Sequence, residues 1–338
     1  MNKRSILIAA VAFLFIAMIA AFVSYNALFV GITSGDSASV DPVVIEISAG
    51  SSLSRVASEL ERAGYLESPM LFKLWARFQG VDNSIRTGEY EIEPGMTPAE
   101  LLTKMVRGDT VQYRVTLVEG WTFQRALQAI WDAENIRITL DGLDSTEIAA
   151  RMNLGYENPE GLLYPDTYFY TKGTTDTELL SRAHERLKTV LAQAWETRLG
   201  ALPYANPYEA LTMASIIEKE SASNSERGLI AAVFVARLEL GMRLQSDPTV
   251  IYGMADRYAG NISRADLSEQ TPYNTYRING LPPTPIALSG SESLIAALRP
   301  APSDYLYFVS RGDGSHQFSR SLEEHNAAVR QYQLGTGN

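Results

Sequence analysis

The chain has no cysteine and only three histidines, His184, His316 and His325. Without cysteine there is no disulfide framework, thiol nucleophile or thiolate metal site. The histidines are far apart and form neither an HxH nor an HExxH pattern, so no zinc-hydrolase ligand set is readable, and no metal or organic cofactor is expected. His184 falls in a charged helical pattern and reads as a surface residue. His316 and His325 lie in a C-terminal strand–turn–helix region. Basic runs are equally scarce: the net charge is -10, and no cluster of Lys or Arg would hold a nucleic-acid backbone. An acidic balance is silent about a carbohydrate partner.

What the chain does have is apolar substance. Its 338 residues are 46% hydrophobic and 20% charged, which suits two or three globular domains with well-filled cores. Lys3 and Arg4 precede eighteen residues, Ile6 to Val23, without a polar side chain. That run is long enough to span a bilayer and longer than the usual apolar segment of a signal peptide. Small residues between Ala17 and Ala21 leave cleavage open; the preferred reading is an uncleaved helix over 5–28. The positive flank keeps residues 1–4 cytoplasmic and sends the body outward. The lack of cysteine fits an oxidising exterior without proving it. Residues 29–42, which include "GITSGDSASVDP", read as a flexible linker.

A pattern then recurs three times, beginning at Val43, Gly88 and Tyr113: a strand, a glycine (Gly50, Gly95, Gly120), a hydroxyl residue two positions on (Ser52, Thr97, Thr122), and an amphipathic helix. Glycine frees the turn, and the hydroxyl caps the first orphan N–H groups. Chance recurrence of so common a motif is an equal alternative. "SPMLFKLWARFQG" adds a helix over 68–80. Residues 43–110 thus form a small α+β module, too small for most enzymes and suited to binding. Residues 111–338 are mostly α with short β segments, with helices expected over 176–199, 207–222, 226–240 and near 321–333. The fold class is α+β.

The stretch "ASIIEKES" at 214–221 ends an apolar helix in two acids. At 100° per residue Glu218 and Glu220 border opposite edges of the apolar face, and Lys219 points away. Glu218 has only apolar neighbours on the helix, whereas Glu220 has Glu209 near it, a slight lean towards Glu218. Apolar surroundings and the negative end of the helix dipole both raise a carboxyl pKa, as protonating a glycosidic oxygen requires. A Glu-Lys-Glu helix end is nevertheless more often a solvated edge, so local chemistry alone decides nothing.

The ordered set "ASIIEKES", "ERGLIAAVFVARLELGMRLQSDPTVIYGM", "YNTYRINGLPPTPI" and "YLYFVSRGDGSHQFSRSLEEHN", together with "EGLLYPDTY" and the apolar N-terminus, resembles the YceG-like endolytic murein transglycosylases over nearly the whole chain. The resemblance implies a single-pass inner-membrane protein with its catalytic domain in the periplasm and a LysM-like module at 43–110. The implied substrate is the glycan strand of peptidoglycan, cut within the strand at the β-1,4 MurNAc–GlcNAc bond to leave 1,6-anhydroMurNAc ends. Termination of nascent glycan, alongside peptidoglycan synthases, is the implied role. It also implies Glu218 as the acid/base, with Glu220 a motif residue of unassigned job.

Substrate-binding candidates are Glu220, Gln245, Ser246, Asp247, Tyr273, Asn274 and Tyr276. Each has a plainer account. Asp247 before Pro248 suits a helix N-cap, and Asn274 in a Thr- and Pro-rich loop suits a turn. Tyr164 and Tyr168 serve core packing as readily as sugar stacking. The rival functions are a water-using muramidase and a noncatalytic peptidoglycan-binding scaffold.

Overall fold

The computed structural model describes residues 3–32, 42–221 and 225–334. The expected cytoplasmic tail and the linker fall largely outside the described residues. The chain divides into two compact units, residues 1–113 with 170–173, and residues 114–169 with 174–338.

The first unit begins with α1 (Lys3–Phe29), followed by β1 (Val43–Ile47), α2 (Leu53–Arg62), α3 (Pro69–Phe78), β2 (Gly88–Ile92) and α4 (Pro98–Arg107). Residues Arg4–Phe29 are long and apolar enough to cross a membrane. β1 and β2 pair antiparallel, with Val43 opposite Ile92 and Ile47 opposite Gly88. Their inward residues join Val56, Phe72, Ala76, Tyr90, Leu101 and Met105 in a small core.

The threefold pattern is physical. Gly50, Gly95 and Gly120 all take left-handed φ values, between 76 and 83°. Ser52, Thr97 and Thr122 each accept a hydrogen bond from the backbone N–H three residues on. At Thr97 the cap is reciprocal, because Glu100 accepts from the Thr97 N–H at 2.8 Å.

The second unit begins within β3 (Tyr113–Thr116), at Arg114, and β3 pairs with a later strand, β4 (Thr167–Tyr170). Between them lie α5 (Phe123–Trp131) and α6 (Ser145–Arg151). Then come α7 (Asp176–Glu196), α8 (Pro207–Glu220), α9 (Arg227–Glu239), α10 (Asp247–Met254), α11 (Arg264–Ser268) and α12 (Ser291–Leu298). A hairpin of β5 (Tyr307–Ser310) and β6 (His316–Ser319) and the closing helix α13 (Leu322–Tyr332) complete it. The architecture is mixed α+β, with the strands confined to two-stranded pieces.

α8 is the centre of this unit. Asn206 caps it by accepting from the Glu209 N–H, and Pro207 occupies its first turn. Every residue from Ala210 to Ile217 is buried. The sequence predicts one apolar face; the helix is instead enclosed on all sides by α7, α9 and α12. Thr212 and Ser215, the polar members of that run, turn their hydroxyls onto the carbonyls of Tyr208 and Thr212, so burial leaves them satisfied.

Candidate active site

The buried helix α8 ends in the two acids, and their surroundings differ. Glu218 is nearly sealed, its side chain 5% exposed. Arg227, at the start of α9 and 10% exposed, donates from Nη2 to Oε1 at 3.0 Å. The Gly290 N–H, just before α12, donates to Oε2 at 3.0 Å. The Glu119 carboxyl packs against this glycine: a Cβ at position 290 would lie 1.9 Å from Glu119 Oε1, so a larger residue would displace that side chain. Burial, and then the negative charge of Glu218, push the Glu119 carboxyl above the usual range. Lys219 turns away and reaches the Gly120 carbonyl at 3.1 Å.

Glu220 faces the other way, into a cavity of about 510 Å³. Burial pushes its carboxyl up to about 7, the Asp247 charge adds to that, and the Ser246 hydroxyl and Arg237 charge pull back. Ser246 Oγ donates to Glu220 Oε1 at 2.6 Å. Asp247 accepts from the Tyr276 hydroxyl at 2.7 Å. Gln245 stands at φ 54°, and its N–H donates to the Thr275 carbonyl, which turns the chain into α10. Glu220, Gln245, Asp247 and Tyr276 therefore line one cavity, and Ser246 anchors the carboxyl from behind.

The other expected residues fall elsewhere. Tyr273 packs edge-on against Tyr252 and shares a hydrogen bond with Thr284. Asn274 is 1% exposed; its amide donates to the carbonyls of Asp266 and Glu269, and its oxygen accepts from the Tyr276 N–H. It organises the loop that presents Tyr276. Asp247 is the first residue of α10 rather than its cap; Ser246 holds the cap position, and neither makes a capping bond. The Asp247 carboxylate is committed to Tyr276 instead. The Tyr168 hydroxyl donates to the Tyr164 carbonyl, a local structural contact.

Some site residues carried no sequence signal of their own. Arg237 is buried beside the cavity, with Nε on the Leu306 carbonyl and Nη1 on the Leu244 carbonyl, both at 2.7 Å. An arginine interrupting the otherwise apolar α9 is the one hint. His316 and His325 both line the cavity. His316 Nδ1 lies 2.8 Å from Glu226. His325 stacks on Tyr307, and burial with the Arg237 charge holds its imidazole below the usual range. Glu160 is also pushed up to about 7 by burial, but it accepts from the Phe123 and Gly161 N–H groups and is not among the residues lining this cavity. Among the described residues, no cluster of His, Asp or Glu could hold a metal ion.

Glu220 is thus a desolvated acid at the wall of a largely polar cavity. The sequence model of the YceG-like family matches residues 45–331, and the chain belongs to that family. It is 31% identical to the endolytic murein transglycosylase of Bacillus subtilis, over 86% of this chain and 84% of that protein. It is 26% identical to the endolytic murein transglycosylase of Streptococcus pneumoniae, over 86% of this chain but only 58% of that longer protein. A crystal structure of a YceG-like protein from Listeria monocytogenes matches 86% of this chain and all of that one, at 32% identity and a TM-score of 0.53.

Proposed function

We propose that this protein is an endolytic murein lytic transglycosylase. It cuts the β-1,4 MurNAc–GlcNAc bond inside peptidoglycan strands, leaves 1,6-anhydroMurNAc ends and so terminates growing glycan. α1 anchors it in the inner membrane with the second unit in the periplasm, near the peptidoglycan synthases. The β1–α2–α3–β2 order of the first unit supports reading 43–110 as LysM-like.

One observation carries the chemistry: the Glu220 carboxyl, pushed up by burial to about 7, lines a cavity together with Gln245, Asp247 and Tyr276. A lytic transglycosylase needs one group that is first acid and then base. Protonated Glu220 donates to the leaving glycosidic oxygen as the C1–O bond breaks. The resulting carboxylate takes the proton from the sugar's 6-hydroxyl, whose oxygen bonds to C1, and no water is consumed. A value near 7 suits both halves of that cycle. The second carboxylate that ordinary glycosidases require for water or covalent attack is not needed. Asp247 adds negative charge to the cavity in which positive charge develops at C1.

Glu218, the acid/base implied by the resemblance, is the rival assignment. Arg227 Nη2 and the Gly290 N–H already occupy its two oxygens, whereas Glu220 opens on the cavity. Digestion of uncrosslinked glycan strands by wild type, Glu218→Gln and Glu220→Gln separates the two. Loss in Glu220→Gln alone supports the proposal; loss in Glu218→Gln alone transfers the role. Mass spectrometry tests the reaction: anhydro ends are lighter by one water than the reducing ends a muramidase leaves. A purified wild type that leaves strands intact favours the scaffold reading.

A further inference from the structure

α3 is apolar on two faces. Phe72 and Ala76 are buried in the core of the first unit. Met70, Leu74 and Phe78, four residues apart, are 67%, 46% and 81% exposed. On a helix these three cover a strip about 80° wide, centred opposite the Phe72–Ala76 direction. Arg77 and Lys73 run along one side of the strip. A helix with a second, outward apolar face is either covered or interfacial.

The same unit indicates what covers it. The last turn of α1 is packed onto the module, with Ala27 and Leu28 buried. The Phe29 ring meets Trp75 of α3 edge-on at 5.2 Å, and Trp75 stacks on Phe78 at 5.7 Å. Three residues after Phe29, the Ile32 N–H donates to the Met96 carbonyl at 2.8 Å. Gly31 lies so close to Gly95 that a Cβ would stand 2.8 Å from the Gly95 carbonyl oxygen. A recess of about 550 Å³ lined by Phe29, Trp75, Ala99, Leu102 and Val106 opens at the same junction. The module therefore packs directly on the end of α1, with α3 beside that helix's last turn.

We propose that α3 is an interfacial membrane helix. Met70, Leu74 and Phe78 insert at the boundary between headgroups and acyl chains, and Lys73 and Arg77 reach lipid phosphates. Trp75 sits at the depth where membrane proteins concentrate indole rings. Lipid, rather than a protein partner, is the occupant because the strip is continuous with a membrane-spanning helix and is edged by cations. The proposal rests on α1 crossing the membrane.

The absence of native cysteine makes the test clean, since each introduced thiol is unique. Full-length protein carrying Ile16→Cys, Phe78→Cys or Glu61→Cys is labelled with an environment-sensitive fluorophore and placed in vesicles containing spin-labelled lipids. The expected result is deep quenching at position 16 and headgroup-level quenching at 78 at least about threefold stronger than at 61, an exposed position on α2. Quenching at 16 with equal quenching at 78 and 61 overturns the interfacial helix and leaves the span intact; a protein partner on the strip gives this result. An unquenched label at 16 overturns the span and the proposal with it.

Discussion

Glu218 and Glu220 leave the same helix two residues apart and enter opposite surroundings. Around Glu218 the chain supplies a cation, a backbone N–H and a seal. Around Glu220 it supplies a cavity, a hydroxyl, a neighbouring carboxylate and an arginine whose donors are largely spent on carbonyls. The first set occupies both carboxyl oxygens of Glu218. The second leaves Glu220 facing a cavity, with burial pushing its carboxyl up to about 7. Residue type and position on a helix do not distinguish these two acids; the groups packed against them do.

The largest expected effect tests that contrast directly. Glu220→Gln should lower the rate of glycan cleavage by about 10²- to 10⁴-fold, the usual worth of general acid–base catalysis, with little change in melting temperature. Glu218→Gln should keep cleavage within about tenfold of wild type, because it loses a charge pair rather than the proton transfer. Product release followed by chromatography reads both, and an exchange of the two results would reverse the comparison.

Arg227→Met should act on stability first. It leaves Glu218 buried without its cation, which costs about 3–5 kcal/mol, read as a lower urea midpoint. The double variant Arg227→Met with Glu218→Gln should recover part of that loss.

Ser246→Ala should cost about 1 kcal/mol by removing the hydrogen bond to Glu220. That bond favours the carboxylate, so its loss raises the Glu220 pKa further. The alkaline limb of the pH–rate profile should move to higher pH, whereas a purely structural serine would leave it in place.

The smallest effect lies in the pH dependence of stability. Glu220 is raised from 4.5 to about 7 on folding, so the native state holds a proton that the unfolded chain has released. The stability this proton brings is complete below about pH 4.5 and is lost as pH rises through about 7. Glu160 is raised to about 7 as well and contributes with the same sign. Urea unfolding from pH 4.5 to 8 should show stability falling across that window, and Glu220→Gln should reduce the slope while the Glu160 part persists.

Much of the local structure was legible. The expected helices over 207–222 and 226–240 form as Pro207–Glu220 and Arg227–Glu239, because their starts and stops are written in Asn206, Pro207 and Gly241. The three glycine–hydroxyl turns were readable because capping uses neighbours three residues away. The plainer account of Asp247 as an N-cap does not hold, because its carboxylate takes the hydroxyl of Tyr276, 29 residues on. Tyr273 and Asn274 have their side chains turned to structural tasks, which a loop sequence does not disclose. The role of Arg237 was hidden because its partners, Leu244 and Leu306, meet it only through packing.

The sequence by itself determined that an apolar helix would end in Glu-Lys-Glu, that Lys219 would point away from both acids, and that an apolar N-terminal helix would precede the body. Only the tertiary structure separated the two acids. Glu218 meets residues 9 and 72 positions away, and Glu220 meets one 26 positions away. A carboxyl's proton affinity follows from desolvation and from the charges and donors facing it, and packing alone brings those groups together.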